Sequence, residues 1–367
     1  LRASGIPRWR GCAASRARAG RDPMRVAVLF NDDGALAHGQ EKDALAVASV
    51  AGCADAVVAA LRERGHDATR LAAPGEPDAL LAALRAARPD VVFNLVESLR
   101  GDAALEAAVV ALLDLSGLPF TGNGALACAL SLRKPLAKAL LAARGVPVAA
   151  GCVVESADDP LPDPRATDPA TRCPFPWIVK PSREDASHGI SKESVVHDEA
   201  AARDRTRFVI ERYRQPALVE RFIEGRELNV GLIGSADAPE LLPVAEIDFT
   251  RFPAGRPRLV TYESKWVEGS DDWNGTPVQD AALDAPLAAR VREIALSSWR
   301  ALGLCGYGRV DLRLHESEGP VVLEVNPNPD LSPDAGFARA WGRRGAAPRS
   351  YEDLVEAILR HARAGAA

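Results

Sequence analysis

Between residues 306 and 327, charged and apolar side chains alternate with a period of two. Arg309, Asp311 and Arg313 fall on one face of an extended segment, and Val310, Leu312 and Leu314 on the other. On the return segment Glu324 and Asn326 share a face, opposite Val321, Leu323 and Val325. A hairpin turning near Ser317-Glu318 sets Asp311 across from Glu324 and Arg309 across from Asn326. Carboxylates directly opposed across strands repel one another. A divalent cation between them removes the repulsion. Two carboxylates and an amide oxygen are the hard donors that suit Mg²⁺, with substrate phosphates completing its shell. The same alternation also describes a solvated polar face on which Arg309 and Arg313 neutralise the acids.

A second stretch, Ile178-Val179-Lys180-Pro181-Ser182-Arg183-Glu184-Asp185-Ala186-Ser187-His188-Gly189, leads from an apolar strand through a lysine into a loop of small polar residues. A lysine at a strand end reaches a phosphate as a point charge. Backbone N–H groups in such a loop cradle phosphate oxygens. A polar hairpin fits the same residues. No helix follows, so this is not a G-x-x-x-x-G-K-[ST] loop. Gly122-Asn123-Gly124-Ala125-Leu126-Ala127 matches G-x-G-x-x-A, but it closes an α/β region instead of opening one, and no dinucleotide site is expected there. Glu220 and Glu227 flank Phe222-Ile223. That group is able to line an adenine ring and hold ribose hydroxyls, or simply to be surface acids on strands.

These groups need elements to hold them. Apolar strands at 26–30, 66–71, 90–96 and 118–121 alternate with helical stretches ending at 54–64, near 78–87 and at 102–115. That alternation implies a parallel α/β sheet, whose ligands lie at the carboxyl ends of its strands. Asn31, Asp32, Asn94 and Glu97 stand at those ends, as site-facing groups or as turn caps. Residues 125–144 read as a helix interrupted at Pro135, and the proline-rich 156–176 as an exposed loop. Strands at 177–181, 217–223, 227–234 and 245–249 then follow with only the helix 198–212 among them, which is α+β territory with antiparallel pairing. A long helix spans 283–302, and another closes the chain at 351–362.

The chain has 367 residues, which at about 150 per domain means two or three domains. Lys and Arg total 45 against 50 Asp and Glu, a net charge of −5, so a general nucleic-acid binder is not expected. No run of about 20 consecutive apolar residues occurs, and no transmembrane helix is expected. The cysteines Cys12, Cys53, Cys128, Cys152, Cys173 and Cys305 are scattered without a C-x-x-C pair, which points to reduced thiols in a cytoplasmic protein. Residues 1–23 are rich in Arg and poor in acids, as transit peptides are. Met24 is the only methionine and is followed at once by a strand, so the expected start is Met24, with 1–23 an extension that is disordered or foreign to the natural chain.

Taken in order, these segments resemble the ATP-grasp superfamily, and most closely its D-alanine–D-alanine ligases. The matching phrases are Val92-Phe93-Asn94, Gly117-Leu118-Pro119-Phe120-Thr121-Gly122, Lys134 and Lys138 with Gly145-Val146-Pro147, Val179-Lys180-Pro181-Ser182-Arg183-Glu184, Glu220-Arg221-Phe222 with Glu227, Lys265, Gly308-Arg309-Val310-Asp311 and Leu323-Glu324-Val325-Asn326-Pro327. They span nearly everything after Met24. The resemblance implies a three-domain ATP-grasp fold, part α/β and part α+β. It would comprise an N-terminal α/β domain over 24–129, a central lid over 130–219 and a catalytic domain over 220–367, with ATP between the last two. By the same resemblance Lys134 and Lys180 contact nucleotide phosphates, and the loop with Glu184, Ser187 and Gly189 covers the triphosphate. Glu220 and Phe222 meet the adenine, Glu227 the ribose, and Lys265 the transferred phosphoryl group. Asp311, Glu324 and Asn326 hold two Mg²⁺, or Mn²⁺ in their place, and Arg309 stabilises an oxyanion. The implied chemistry is attack of a substrate carboxylate on the γ-phosphorus, then of an amine on the resulting acyl phosphate.

The sequence departs from that family around the amino acids. A Glu, a Ser and a Tyr that form a hydrogen-bonded triad in the D-alanine ligases correspond here to Ala48, Ala186 and Trp266, and the family's Gly after Asn-x-x-Pro is Asp330. The expected function is therefore an ATP-dependent ligase with D-alanine as the default substrate. The alternatives are a ligase for another amino-acid or small-acid pair, and a nucleotide-binding regulatory protein without turnover. Expected partners are small amino-acid substrates, with no nucleic acid and no membrane; a homodimer is open.

Overall fold

The computed structural model describes residues 22–34, 36–168, 172–344 and 347–362. The expectations for the N-terminal extension and for Cys12 lie outside the described residues, Asp22 and Pro23 apart.

The first unit is a three-stranded parallel sheet. Its strands are β1 (Arg25–Phe30), β2 (Asp67–Ala72) and β3 (Val91–Asn94), in the order β2-β1-β3. β1 lies in the middle and buries Val26 to Phe30 on both faces, which is why it reads as an unbroken apolar run. Helices α1 (Ala44–Glu63), α2 (Pro77–Ala87) and α3 (Glu106–Ser116) connect and flank the strands. By length and composition α1 is apolar enough to cross a membrane. In this fold it packs Val50, Ala54, Val57 and Leu61 into the core beside β1. The expected strand at 118–121 is not formed. That segment makes one parallel bridge, Val92 with Phe120, because the chain turns away at Gly122 (φ +91°).

Two helices follow, α4 (Ala125–Leu132) and α5 (Lys134–Ala143), broken at Arg133 ahead of Pro135. Their apolar sides do not join the lid. Ala127, Ala137 and Leu141 belong to the core of the third unit. The second unit is an antiparallel sheet of β4 (Gly151–Val154), β5 (Trp177–Pro181), β6 (Val195–Val196) and, after α6 (Glu199–Tyr213), β7 (Ala217–Arg221), ordered β4-β7-β5-β6.

The third unit is built on a second antiparallel sheet. It comprises β8 (Arg226–Gly234), β9 (Pro239–Leu241), β10 (Ala245–Ile247), the short α7 (Tyr262–Trp266) and α8 (Asp271–Asn274), then β11 (Val278–Asp280), α9 (Ala285–Leu302), β12 (Gly306–His315) and β13 (Gly319–Asn326). β12 lies between β8 and β13. Asp284 caps α9 by accepting from the Leu287 N–H at 2.8 Å, and Gly303 ends it at φ +70°. Between them Val291, Ile294, Ala295, Trp299 and Leu302 face the sheet. The last helices, α10 (Gly336–Gly342) and α11 (Tyr351–Arg360), return to the first unit, where Leu354, Val355, Ile358 and Leu359 close its core. None of the five described cysteines forms a disulfide among the described residues.

Candidate active site

The hairpin β12–β13 has the expected register at its functional end: Arg309 pairs with Asn326 and Asp311 with Glu324. It reaches that register through a bulge. The turn places His315 opposite Gly319, and the pairing shifts by one residue between Asp311 and Leu312. The bulge breaks the expected alternation of β13. Val322 and Val325 enter the core of the third unit, while Val321 packs elsewhere, with Ala149 and Ile223.

Each acid on this face meets a base. Arg309 donates from Nε and Nη2 to the two oxygens of Asp311 at 2.7 and 2.8 Å, and the amide of Asn229 on β8 donates to Asp311 at 2.8 Å. Arg313 pairs with Glu227 at 2.8 Å. Lys134, buried at the start of α5, sits 2.9 Å from Asp185 and 3.3 Å from Glu324, and also donates to the Glu184 carbonyl. Burial opposes charge on Glu324, but Lys134, Lys265, Lys180 and Arg309 overcome it and hold the carboxyl at about 2. Burial outweighs Arg313 at Glu227, whose carboxyl is pushed up.

One turn along α5, Lys138 shares a buried carboxylate with Lys180. Glu220 lies 2.6 Å from the first ammonium and 2.8 Å from the second. Burial opposes the charge of Glu220, yet the two lysines keep it ionised and lower its pKa. With one acid for two bases, burial and the charge of Lys180 lower the pKa of Lys138. Lys138 was matched from sequence but given no role. Its i,i+4 spacing from Lys134 was the available signal, because it puts both ammoniums on one helix face.

The loop after β5 folds tightly over these lysines. Ala186 and Ser187 take φ +52° and +61°, and Gly189 takes +70°. A Cβ at Gly189 would come 2.7 Å from the Pro181 ring, so this turn admits no side chain. Trp266 donates from its indole N–H to the Ala186 carbonyl at 3.1 Å. Two of the three positions where the triad was sought thus touch each other, while Ala48 is exposed on α1. Lys265, next to Trp266, is half-buried and acts electrostatically on Glu97, Glu227 and Glu324.

The first unit contributes from two places. Residues 40–43 bridge to both other units. Gln40 donates to the Tyr213 hydroxyl at 3.0 Å, and that hydroxyl donates to Asp43 at 3.1 Å. Lys42 pairs with Glu263 at 2.6 Å and accepts at its carbonyl from the Tyr262 hydroxyl. At the carboxyl end of β3, Asn328 donates to the Val96 carbonyl at 3.0 Å, and its own N–H reaches Asn326 Oδ1 at 2.8 Å. Asn123 serves structure: its amide nitrogen donates to the Tyr307 and Pro327 carbonyls, and its oxygen accepts from the Cys305 N–H.

The structure therefore gathers Lys134, Lys180, Glu184, Glu220, Glu227, Lys265, Arg309, Asp311, Glu324 and Asn326 where lid and third sheet meet. Phe222 lies beside Arg313, whose guanidinium sits 5.6 Å from its ring centre. Ser187 reaches across to the Val260 carbonyl at 3.4 Å. Asn229, Asp185 and Asn328 were missed. Asn229 was readable, since it follows Glu227 by two on one strand face; the others depend on contacts distant in sequence. Opposed carboxylates with Asn326 beside them, ringed by cations that attract polyphosphate, fit Mg²⁺.

The two antiparallel sheets, the loop between β5 and β6 and the hairpin face together define an ATP-grasp protein. Residues 140–360 match the family model for the D-Ala-D-Ala ligase C-terminus. The chain is 32% identical to a D-alanine–D-alanine ligase of Gluconobacter oxydans over 92% of this chain and 99% of that one. It is 33% identical to the uncharacterized protein y4sG of Sinorhizobium fredii, covering 83% and 86%. The crystal structure of a D-alanine–D-alanine ligase from Bacillus anthracis complexed with ATP superposes with a TM-score of 0.69 at 19% identity, covering 92% and 97%. The chain belongs to the D-alanine–D-alanine ligase family.

Proposed function

We propose that this chain is a cytoplasmic, ATP- and Mg²⁺-dependent ligase that joins the carboxyl group of one small acid to the amine of another through an acyl phosphate. The observation that carries this reading is the opposed pair Asp311 and Glu324, paired with Arg309 and Lys134, with the Glu324 carboxyl held low by Lys134, Lys265, Lys180 and Arg309. Bound between those carboxylates and Asn326, Mg²⁺ would neutralise phosphate oxygens. Lys134 and Lys180 would orient the phosphates, exchanging their present carboxylate partners for the nucleotide. Lys265 would meet the transferred group and Arg309 the oxyanion of amine attack. Such transfer needs mainly positioning and charge. The loop 184–189 would keep water from the acyl phosphate. Binding alone has no use for an oxyanion arginine, which weighs against a regulatory protein without turnover.

The contact of Trp266 with Ala186 favours a second substrate reading. An indole and a methyl group stand where hydroxyls were expected, so a pair other than two D-alanines is favoured.

The test is phosphate release from ATP and Mg²⁺ across a panel of D- and L-amino acids, with mass spectrometry of products. A dipeptide or amide product with stoichiometric ADP is the expected result. D-alanyl-D-alanine alone would remove the second reading. ATP binding with no product from any acid–amine pair would overturn the first.

A further inference from the structure

The chain leaves β13 as Asn326-Pro327-Asn328-Pro329. The two prolines restrict the backbone here and remove two N–H groups that could have anchored it. Side chains anchor it instead. The Asn123 amide nitrogen donates to the Pro327 carbonyl at 2.6 Å. The Asn328 amide nitrogen donates to the Val96 carbonyl, beyond the end of β3, at 3.0 Å. The Asn328 amide oxygen accepts from the Tyr307 hydroxyl at 2.6 Å, and Tyr307 is a fully buried residue of β12. Glu106, buried in the first turn of α3, bonds to the same Asn328 side chain. The backbone N–H of Asn328, held by all of these, donates to Asn326 Oδ1 at 2.8 Å.

We propose that Asn328 is a positioning residue for the metal: its N–H fixes which way the Asn326 amide faces, so that an oxygen and not an NH₂ group is offered to the cation. The inference rests on the reading above that Mg²⁺ binds among Asp311, Glu324 and Asn326. A carboxylate ligates through either oxygen, so Asp311 and Glu324 are ligands whichever way they turn. An amide has one oxygen, and turned over it presents two donors that repel a cation. The carbonyl oxygen of Asn326 has two lone pairs; one accepts from Asn328 and the other stays available. Nothing in the sequence of a strand makes that choice, but a donor fixed two residues on does. The donor is only as well placed as the side chain beneath it, which is fastened to the end of β3, to β12 and to α3. The aim of one ligand on the third sheet is thereby set in part by the first unit.

The experiment uses the full chain as wild type, Asn328→Ala, Tyr307→Phe and the double variant, with thermal melts to confirm folding. Mn²⁺ is titrated into protein saturated with a non-hydrolysable ATP analogue, and free Mn²⁺ is read by electron paramagnetic resonance, with the analogue alone as reference. Asn328→Ala should weaken Mn²⁺ binding about 10- to 100-fold, as loss of a ligand's outer partner does. Tyr307→Phe removes one of the bonds to Asn328 and should weaken it about 2- to 5-fold, with no further loss when added to Asn328→Ala. Turnover by Asn328→Ala should recover as Mg²⁺ is raised, which a damaged fold would not do. Equal Mn²⁺ affinity in wild type and folded Asn328→Ala overturns the positioning role and leaves the ligase reading intact. Wild type that holds Mn²⁺ no better than the analogue alone sinks the metal reading and the inference together. Should Asn328→Ala not fold, Tyr307→Phe decides: unchanged Mn²⁺ affinity there overturns the inference.

Discussion

Glu324 and Glu97 carry the same side chain at the ends of two different sheets, and their surroundings drive them in opposite directions. Glu324 stands among Lys134, Lys180, Lys265 and Arg309 and is held at about 2. Burial first, then the charges of Asp330 and Asp185, push Glu97 up to about 8 against one lysine. Both are half-buried and burial raises both, so burial does not separate them; the sign of the neighbours does. The third sheet offers an acid that is always charged, as a metal ligand must be. The first sheet offers one whose proton is held by burial and by the acids around it.

Removing Glu324 tests the contrast most severely. Glu324→Ala should lower phosphate release by about 10³-fold while the melting curve stays cooperative. Activity within tenfold of wild type would mean the hairpin face holds no metal. Next in size is Glu220, the acid shared by two lysines. Glu220→Gln leaves both ammoniums buried without a counter-ion and should cost about 3–5 kcal/mol, read by urea unfolding at neutral pH.

The pH dependence of folding separates the two glutamates by sign. Glu324 is depressed, so its stabilisation is complete above its unfolded value near 4.5 and is lost as pH falls towards 2. Glu97 is raised, so its contribution is complete below 4.5 and is lost as pH rises through 8. Glu97→Gln should therefore flatten the fall in stability between about pH 4.5 and 8 and be the more stable protein above that window, by about 1–3 kcal/mol. A wild-type slope retained in Glu97→Gln would place the titration on another group. The smallest effect is expected at Tyr213. Tyr213→Phe loses its bonds to Gln40 and Asp43 and should cost about 0.5–1.5 kcal/mol in a thermal melt.

Much of this was readable in the residues, for a physical reason. A strand has a period of two, so a hairpin centred between Ser317 and Glu318 puts Arg309, Asp311, Glu324 and Asn326 on one face; the turn itself closes half a step earlier, and the bulge restores that register. The bulge beside Leu312 was not readable, because a one-residue slip leaves no mark in composition. Parallel β1 was evident as an apolar run, whereas residues 118–121 looked like a strand and supply one bridge. Helix α5 falls inside the expected lid range 130–219 but packs with Ala127 of α4 into the third core, and α11 closes the first; periodicity shows which face is apolar, not what covers it. Glu97 was placed at a sheet end, but the acids that help to raise it, Asp330 and Asp185, are far away in the chain.

The bridge made by residues 40–43 has a consequence for any movement of the second unit. Tyr213 belongs to the lid, Glu263 and Tyr262 to the third unit, and one short segment of the first unit grips all three. An outward swing of the second unit would have to part Tyr213 from Gln40 and Asp43, and so would draw residues 40–43 of the first unit along with it.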